Sequence, residues 1–247
     1  MSKSTEPIWA RDEPGARRPR YTREQIAAAA LAVADAEGIE AVSMRRVASE
    51  LGAGTMTIYH YVRTKGELLD LMDDAIMGEV LVPDGELAPG WRASLTQIAT
   101  RSRDAFARHP WAMEGLRGSQ GGPNSLRHFE QTLAAVASLD LPLEQKLELV
   151  LIVDDYVFGY VLRSSEAALE LEHLDAHESH LLYMATLFET GEYPHTAEVF
   201  GGNDLTSGLE LMVGAFRNPN RFDHGLERLM DGIEAWIGRH VGGSGST

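Results

Sequence analysis

Cysteine is absent from the 247 residues. That removes disulfides, thiolate nucleophiles and zinc–thiolate centres together, and is in keeping with a reducing compartment. Long apolar runs are also missing: no stretch approaches the roughly 18 to 20 apolar residues that a membrane span needs. The leading segment, with Glu6, Asp12, Glu13 and three prolines, lacks the apolar centre of a secretion signal, so a cytoplasmic location is expected. Catalytic signatures are lacking too. There is no G-x-S-x-G elbow, phosphate loop, dinucleotide fingerprint or H-E-x-x-H helix, and neither an enzyme nor a cofactor is expected. Period-two alternation is nowhere sustained, which argues against strands. Basic charge is scarce: 22 Lys/Arg face 37 Asp/Glu, for a net charge of −15.

That scarcity is uneven. Residues 1–66 carry 10 Lys/Arg against 8 Asp/Glu, whereas residues 67–247 carry 12 against 29. A slightly basic end joined to a strongly acidic body is the distribution expected when one end meets phosphate and the rest avoids it.

What is present is helical periodicity. Residues 1–21, with Pro7, Pro14, Gly15 and Pro19 among charges, read as a mobile Arg-rich arm. Thr22 and Gln25 form a capping box for a first helix, with Ile26, Ala29, Ala30, Val33 and Ala36 on one face and Gly38 as its stop. Ser43 caps a short second helix ending at Gly52, Thr55 begins a third, and Thr64 with Glu67 caps a fourth that reaches Val80. Pro83, Gly85, Pro89 and Gly90 mark a domain boundary. Beyond it, helices are predicted over 91–108, 111–117, 126–139, 142–171, 176–189 and 222–241, with a looser segment around Pro194, Gly201, Gly202 and Asn218-Pro219. The expected fold is all-α: a helix-turn-helix domain over 22–84, a larger helical domain over 85–241, and a Gly/Ser tail at 242–247.

Ala48, Gly52 and Ile58 have the spacing that a steep helix crossing demands: a small residue at the contact, a turn residue free to take positive φ, and an apolar plug. The stretch SMRRVASELGAGTMTIYHYVRTKGELLDLM resembles the signature of the TetR family of transcription regulators, and the similarity spans about residues 22–82. It implies a recognition helix at Thr55–Tyr61, with Gly54, Thr55, Thr57, Tyr59 and His60 reaching DNA and Tyr61 packing or touching the backbone. Lys65 would bind a phosphate, and Arg45 would reach the operator from the preceding helix. The side-chain chemistry agrees, since hydroxyls and helix N-termini suit phosphate and arginine suits guanine. No Gln or Asn is present in the recognition helix, so the usual adenine reader is missing. Two readings stay open for Arg17, Arg18 and Arg20, flanked by Arg11 and Arg23: an arm in an adjacent minor groove, or a solvated tail.

The same resemblance implies a homodimer on a near-palindromic operator, released by a small-molecule effector. An activator or an effector-independent regulator would share every one of these residues. YVFGYVLRSSEAALE loosely resembles the tetracycline-repressor class of effector domain. Candidate pocket residues are Phe106, Trp111, Met113, Leu116, Phe129, Tyr156, Phe158 and Tyr160, although aromatic stripes more often form plain core. Asp154 and Asp155 lie inside an apolar helix, where carboxylates are costly unless partnered. Leu226, Leu229, Ile233 and Trp236 on the last helix, with Gly225 and Gly232 allowing close approach, are the dimer-interface candidates, together with the helix around 145–165. His173, His177 and His180 fall at i, i+4 and i+7, which leaves a helical metal- or metabolite-binding protein as the rival of another class.

Overall fold

The computed structural model describes residues 6–12, 20–115, 118–172, 178–200 and 205–241. All regular structure among them is helical. Twelve α-helices follow in chain order: α1 Arg23–Glu37, α2 Met44–Glu50, α3 Thr55–Tyr61, α4 Lys65–Val80, α5 Trp91–Arg108, α6 Ala112–Gly115, α7 Pro123–Val136, α8 Leu143–Glu172, α9 Glu178–Phe188, α10 Pro194–Val199, α11 Leu205–Arg217 and α12 Arg221–Val241.

Local chemistry sets the ends of the first four. Thr22 accepts from the N–H of Gln25, whose side chain accepts in turn from the N–H of Thr22, completing the expected capping box. Ser43 caps α2 through the N–H of Arg46. At the end of α2, Ala53 N–H donates to Ala48 O at 2.8 Å and Gly52 N–H to Ser49 O, with Gly52 at φ 63°. This is a Schellman closure, and a side chain at position 52 would be strained. At α4, Thr64 accepts from Glu67 N–H as anticipated. The Glu67 carboxylate, however, accepts from Arg63 N–H at 2.7 Å, one residue before the cap.

The chain divides into two compact units, 1–158 and 159–247, with the division inside α8. In the first, α1 packs on α2 and α4, α2 on α3, and α4 on α5 and α7. Ile26, Ala30, Val33, Val47, Ala48, Ile58, Leu68, Met72 and Ile76 are buried there at 8% exposure or less. α4 is therefore the common wall between the three-helix head and the helices that follow it.

Residues 6–12 depart from the mobile arm expected at 1–21. They are docked, with one turn of 3-10 helix at Ile8–Ala10 and Ile8 only 1% exposed. Arg11 pairs with Glu67 at 2.6 Å, and Arg23 donates to the carbonyls of Arg11 and Asp12. Trp9 lies against Gly122, where an added Cβ would fall 2.5 Å from both Trp9 Cζ2 and Asp74 Oδ1. The sequence pattern missed this because one isoleucine and one tryptophan among prolines carry no period, while their burial comes from distant helices. Ile8→Ala should lower the stability of this unit by about 2 kcal/mol. The check is a lower denaturant midpoint at unchanged m-value; an unmoved midpoint would mean that the segment does not dock in solution.

α7 begins at Pro123, three residues before the expected Leu126. Proline suits the first helical turn, and the cap comes from another helix: Asp74 of α4 accepts from the N–H groups of Asn124 and Ser125 at 2.8 and 3.2 Å. Burial pushes the Asp74 carboxyl above its ordinary range, against the pull of those two N–H donors.

In the second unit, helices α10 and α11 occupy much of what reads as a looser segment. Pro194 starts α10 rather than breaking it. Gly208 is needed for contact, because a Cβ there would overlap the backbone of Phe200. Tyr160 packs edge-on to Phe222 at 5.0 Å, and Arg221 lies over the Tyr160 ring while donating to Ser164 Oγ at 2.9 Å. No helix among the described residues is long and apolar enough to cross a membrane.

Candidate nucleic-acid interface

The recognition helix α3 is held by its own apolar residues. Ile58 is fully buried and Tyr61 is 6% exposed, so the two fasten α3 to the head. Of the two roles open to Tyr61, packing or a backbone contact, its burial favours packing. Its ring is spent on the core, leaving the opposite face of the helix to solvent.

On that face Gly54, Tyr59 and His60 are exposed, and Thr55 and Thr57 are half-exposed. Lys65 is exposed at the first position of α4, where helix N–H groups also point outward. Met56, 72% exposed, was not singled out from sequence, where a methionine next to a core position looks like packing. An exposed thioether beside Thr57 suits the methyl edge of thymine in a major groove.

Arg45 and Arg46 separate cleanly. Arg46 is engaged by Glu37 and Glu50 at 2.6 and 2.8 Å. Those carboxylates favour its charged form and occupy its guanidinium. Arg45 is exposed and has no ion pair among the described residues. Arg20 is exposed over the Tyr21 ring, and the Tyr21 hydroxyl donates to Leu51 O at 3.1 Å, so Arg20 is tied to the turn between α2 and α3. Arg11 and Arg23 are occupied by the docked segment, and Arg17 and Arg18 lie outside the described residues.

A second cluster joins the head to the helices behind it. His109, 5% exposed at the end of α5, sits with Nδ1 2.7 Å from Asp35 of α1 and Nε2 3.3 Å from Glu79 of α4. Trp111 Nε1–H donates to the same Asp35 oxygen at 2.8 Å. Burial raises Glu79, but Arg108 and His109 outweigh it and hold the carboxyl below its usual range. Nearby, α6 presses on the turn after α1: a Cβ at Gly115 would meet Ile39 at 2.7 Å.

The expected pocket residues are only partly gathered. Phe106 is buried with its ring edge-on to Phe158 at 5.4 Å. Trp111 is committed to Asp35, Met113 and Tyr156 are half-buried, and Phe129 stands 46% exposed on α7. Tyr160 belongs to the second unit, and Leu116 lies outside the described residues. A groove of about 710 Å³ along the start of α5, between Trp91 and Arg101, contains none of them.

Among the interface candidates, Leu226 and Ile233 are 2% and 5% exposed. Both are corrected to the protomer's own core, on the stripe of Phe222 and Met230. Leu229 and Trp236 lie on the flanking stripe with Gly225 and Gly232 and stay partly exposed. Of the histidine trio, His173 and His177 fall outside the described residues, as does the side chain of His180.

A three-helix head with a Schellman-closed turn, an outward polar recognition face and a larger helical domain behind it defines a DNA-binding regulator of the helix-turn-helix class. Residues 26–72 match the family of bacterial regulatory proteins called tetR, and residues 84–237 match the tetracyclin repressor-like C-terminal domain. The chain belongs to the TetR family. It is 31% identical to the HTH-type transcriptional repressor DrrR1 of Streptomyces coeruleorubidus, over 99% of this chain and 89% of that protein. An HTH-type transcriptional regulator of Saccharopolyspora erythraea is also 31% identical, over 94% and 92%. Among solved structures, apo ActR of Streptomyces coelicolor superposes with a TM-score of 0.65 at 27% identity, covering 91% of this chain and all of that one. ActR in complex with actinorhodin gives 0.62 at 26%, over 88% and 97%.

Proposed function

We propose that the protein is a cytoplasmic, homodimeric repressor that binds a near-palindromic operator in double-stranded DNA and is released by a small organic effector. The observation that carries this is the sorting of α3 and its neighbours into two faces. Ile58 and Tyr61 are spent inward, while Thr57, Tyr59, His60, Arg45 and Lys65 stand together outward. Two such faces, about 34 Å apart in a dimer, would enter successive major grooves. Repression is supported by the relative DrrR1, a repressor, and effector binding by ActR, which is known in complex with actinorhodin. The working division is a DNA-binding domain at 22–84 and an effector and dimerisation domain at 85–241, in line with the two family matches.

Dimerisation is assigned to exposed apolar stripes on two helices. α8 presents Leu151 at 58% and Ile152 at 42%, and α12 presents Leu229 and Trp236 between glycines. Such rows are what isologous interfaces cover.

The test is a gel shift with the intergenic DNA flanking the protein's own gene, against a random duplex of equal length at fixed salt. Lys65→Ala and Tyr59→Phe should each weaken specific binding about three- to tenfold, because each removes a phosphate or base-edge contact without touching the core. Lys65→Ala should also reduce the salt dependence of binding. Full affinity in both variants at unchanged melting temperature would remove this face from the DNA.

A further inference from the structure

α8 carries an anomaly that the DNA face does not use. Asp154, itself half-buried, adjoins a buried stripe, with Val150 one turn before it and Val157 and Val161 after, each at most 3% exposed. Among the described residues it has neither a hydrogen bond nor an ion pair, unlike Asp74, which caps α7, and Asp35, which holds His109 and Trp111. Burial pushes its carboxyl up to about 6, and repulsion from the exposed Asp155 adds to that. A carboxylate kept in apolar surroundings with no partner costs the free protein stability, and groups that do so are commonly binding-site groups.

Its neighbour one turn on is Phe158. The ring edge packs on Phe106 at 5.4 Å, and Phe158 is still 38% exposed, on the side of α8 where Leu151 and Asp155 are exposed too. Side chains at i and i+4 on a helix lie next to each other. An unpaired acid and an uncovered aromatic ring therefore adjoin, and both attract the same species, since a ring face and a carboxylate each favour a cation.

We propose that Asp154 and Phe158 form the anchoring subsite of the effector, and that the effector is a planar aromatic molecule bearing a cationic amine. The ring system covers Phe158 and the Phe106 pair, and the ammonium meets Asp154. This rests on the reading of the body as an effector domain. It narrows that reading to one ligand class, because a neutral or anionic aromatic would leave the half-buried acid unanswered.

The experiment is calorimetric titration of the full chain, without DNA, with two probes of similar size: 9-aminoacridine, a planar cation, and anthracene-9-carboxylate, a planar anion. The parent protein should bind the cation at least tenfold more tightly than the anion. Asp154→Asn should weaken the cation tenfold or more and leave the anion unchanged or tighter, and Asp154→Glu should restore part of the preference. Unliganded Asp154→Asn should also melt above the parent at pH 7.5 by a margin that shrinks towards pH 5. The native carboxyl takes up its proton at higher pH than the unfolded one, so its cost is complete only above about 6. Equal affinity for the probes, binding of neither, or dissociation of Asp154→Asn to monomers in sedimentation would each overturn the proposal, the last by making Asp154 an interface residue. Gel shifts on the same preparations separate the two levels. If cation preference is intact but specific DNA binding is absent, the subsite stands and the repressor reading fails.

Discussion

Leu229→Glu combined with Trp236→Glu should convert the protein into a monomer whose operator affinity falls at least 100-fold. Both residues lie on the flank of α12, in a stripe with Gly225 and Gly232, and neither belongs to the buried row of Phe222, Leu226, Met230 and Ile233. Placing two carboxylates in an apolar interface opposes its burial strongly. A monomer engages one half-site, and the loss of the tethered second contact is on the order of 10² or more. Sedimentation equilibrium reads the association and a gel shift reads the affinity. An intact dimer would move the interface to other surfaces, with the Leu151 and Ile152 stripe of α8 next in line. Ile233→Glu is the wrong probe despite its sequence pattern, because it would damage the protomer before it tested the dimer.

The second large effect is expected at His109. His109→Ala removes contacts to two carboxylates on different helices, Asp35 and Glu79, and leaves a cavity at a site only 5% exposed. Lost hydrogen bonding and incomplete collapse together cost about 3 kcal/mol. For a chain of this size that is roughly 6 to 12 °C in melting temperature. The same change should loosen the end of α5 from α1, the helix against which the recognition unit packs. Effector release of DNA would then weaken even where both ligands still bind. Asp35→Asn should do less damage, since the amide oxygen can still accept from Trp111. A melting temperature within about 2 °C of the parent for His109→Ala would show that this cluster contributes little to holding the head.

The head was legible almost residue by residue because its signals are local. Thr22 with Gln25, Ser43, Gly52 and Thr64 act within one turn of where they stand. A cap or a positive-φ turn needs only its near neighbours, so sequence spacing carries the whole of its physics. The outward residues of α3 were implied by the resemblance to the TetR family, and in the structure Ile58 is inward while Tyr59 and His60 are exposed. Met56 and Tyr61 were harder. Both are apolar enough to be placed on either side, and only packing shows that one is 72% exposed and the other 6%.

The body was less legible because its decisive contacts span long separations. Asp74 caps α7 from 50 residues away, His109 reaches back 74 residues to Asp35, and Trp9 lies against Gly122 while Arg11 pairs with Glu67. The aromatic residues of 106–160 show the same limit: helical spacing predicted that they would be apolar faces, but which ones meet depends on how α5, α7 and α8 approach. By itself, then, the sequence determined the all-helical fold, the helix-turn-helix head and most helix ends, since these depend on free energies acting within about one turn. Only the tertiary structure decided which apolar stripe of α12 is core and which stays partly exposed. It also decided that residues 6–12 are docked and that Asp154 has no hydrogen bond or ion pair among the described residues, since burial and pairing are properties of the space between helices and not of any one of them.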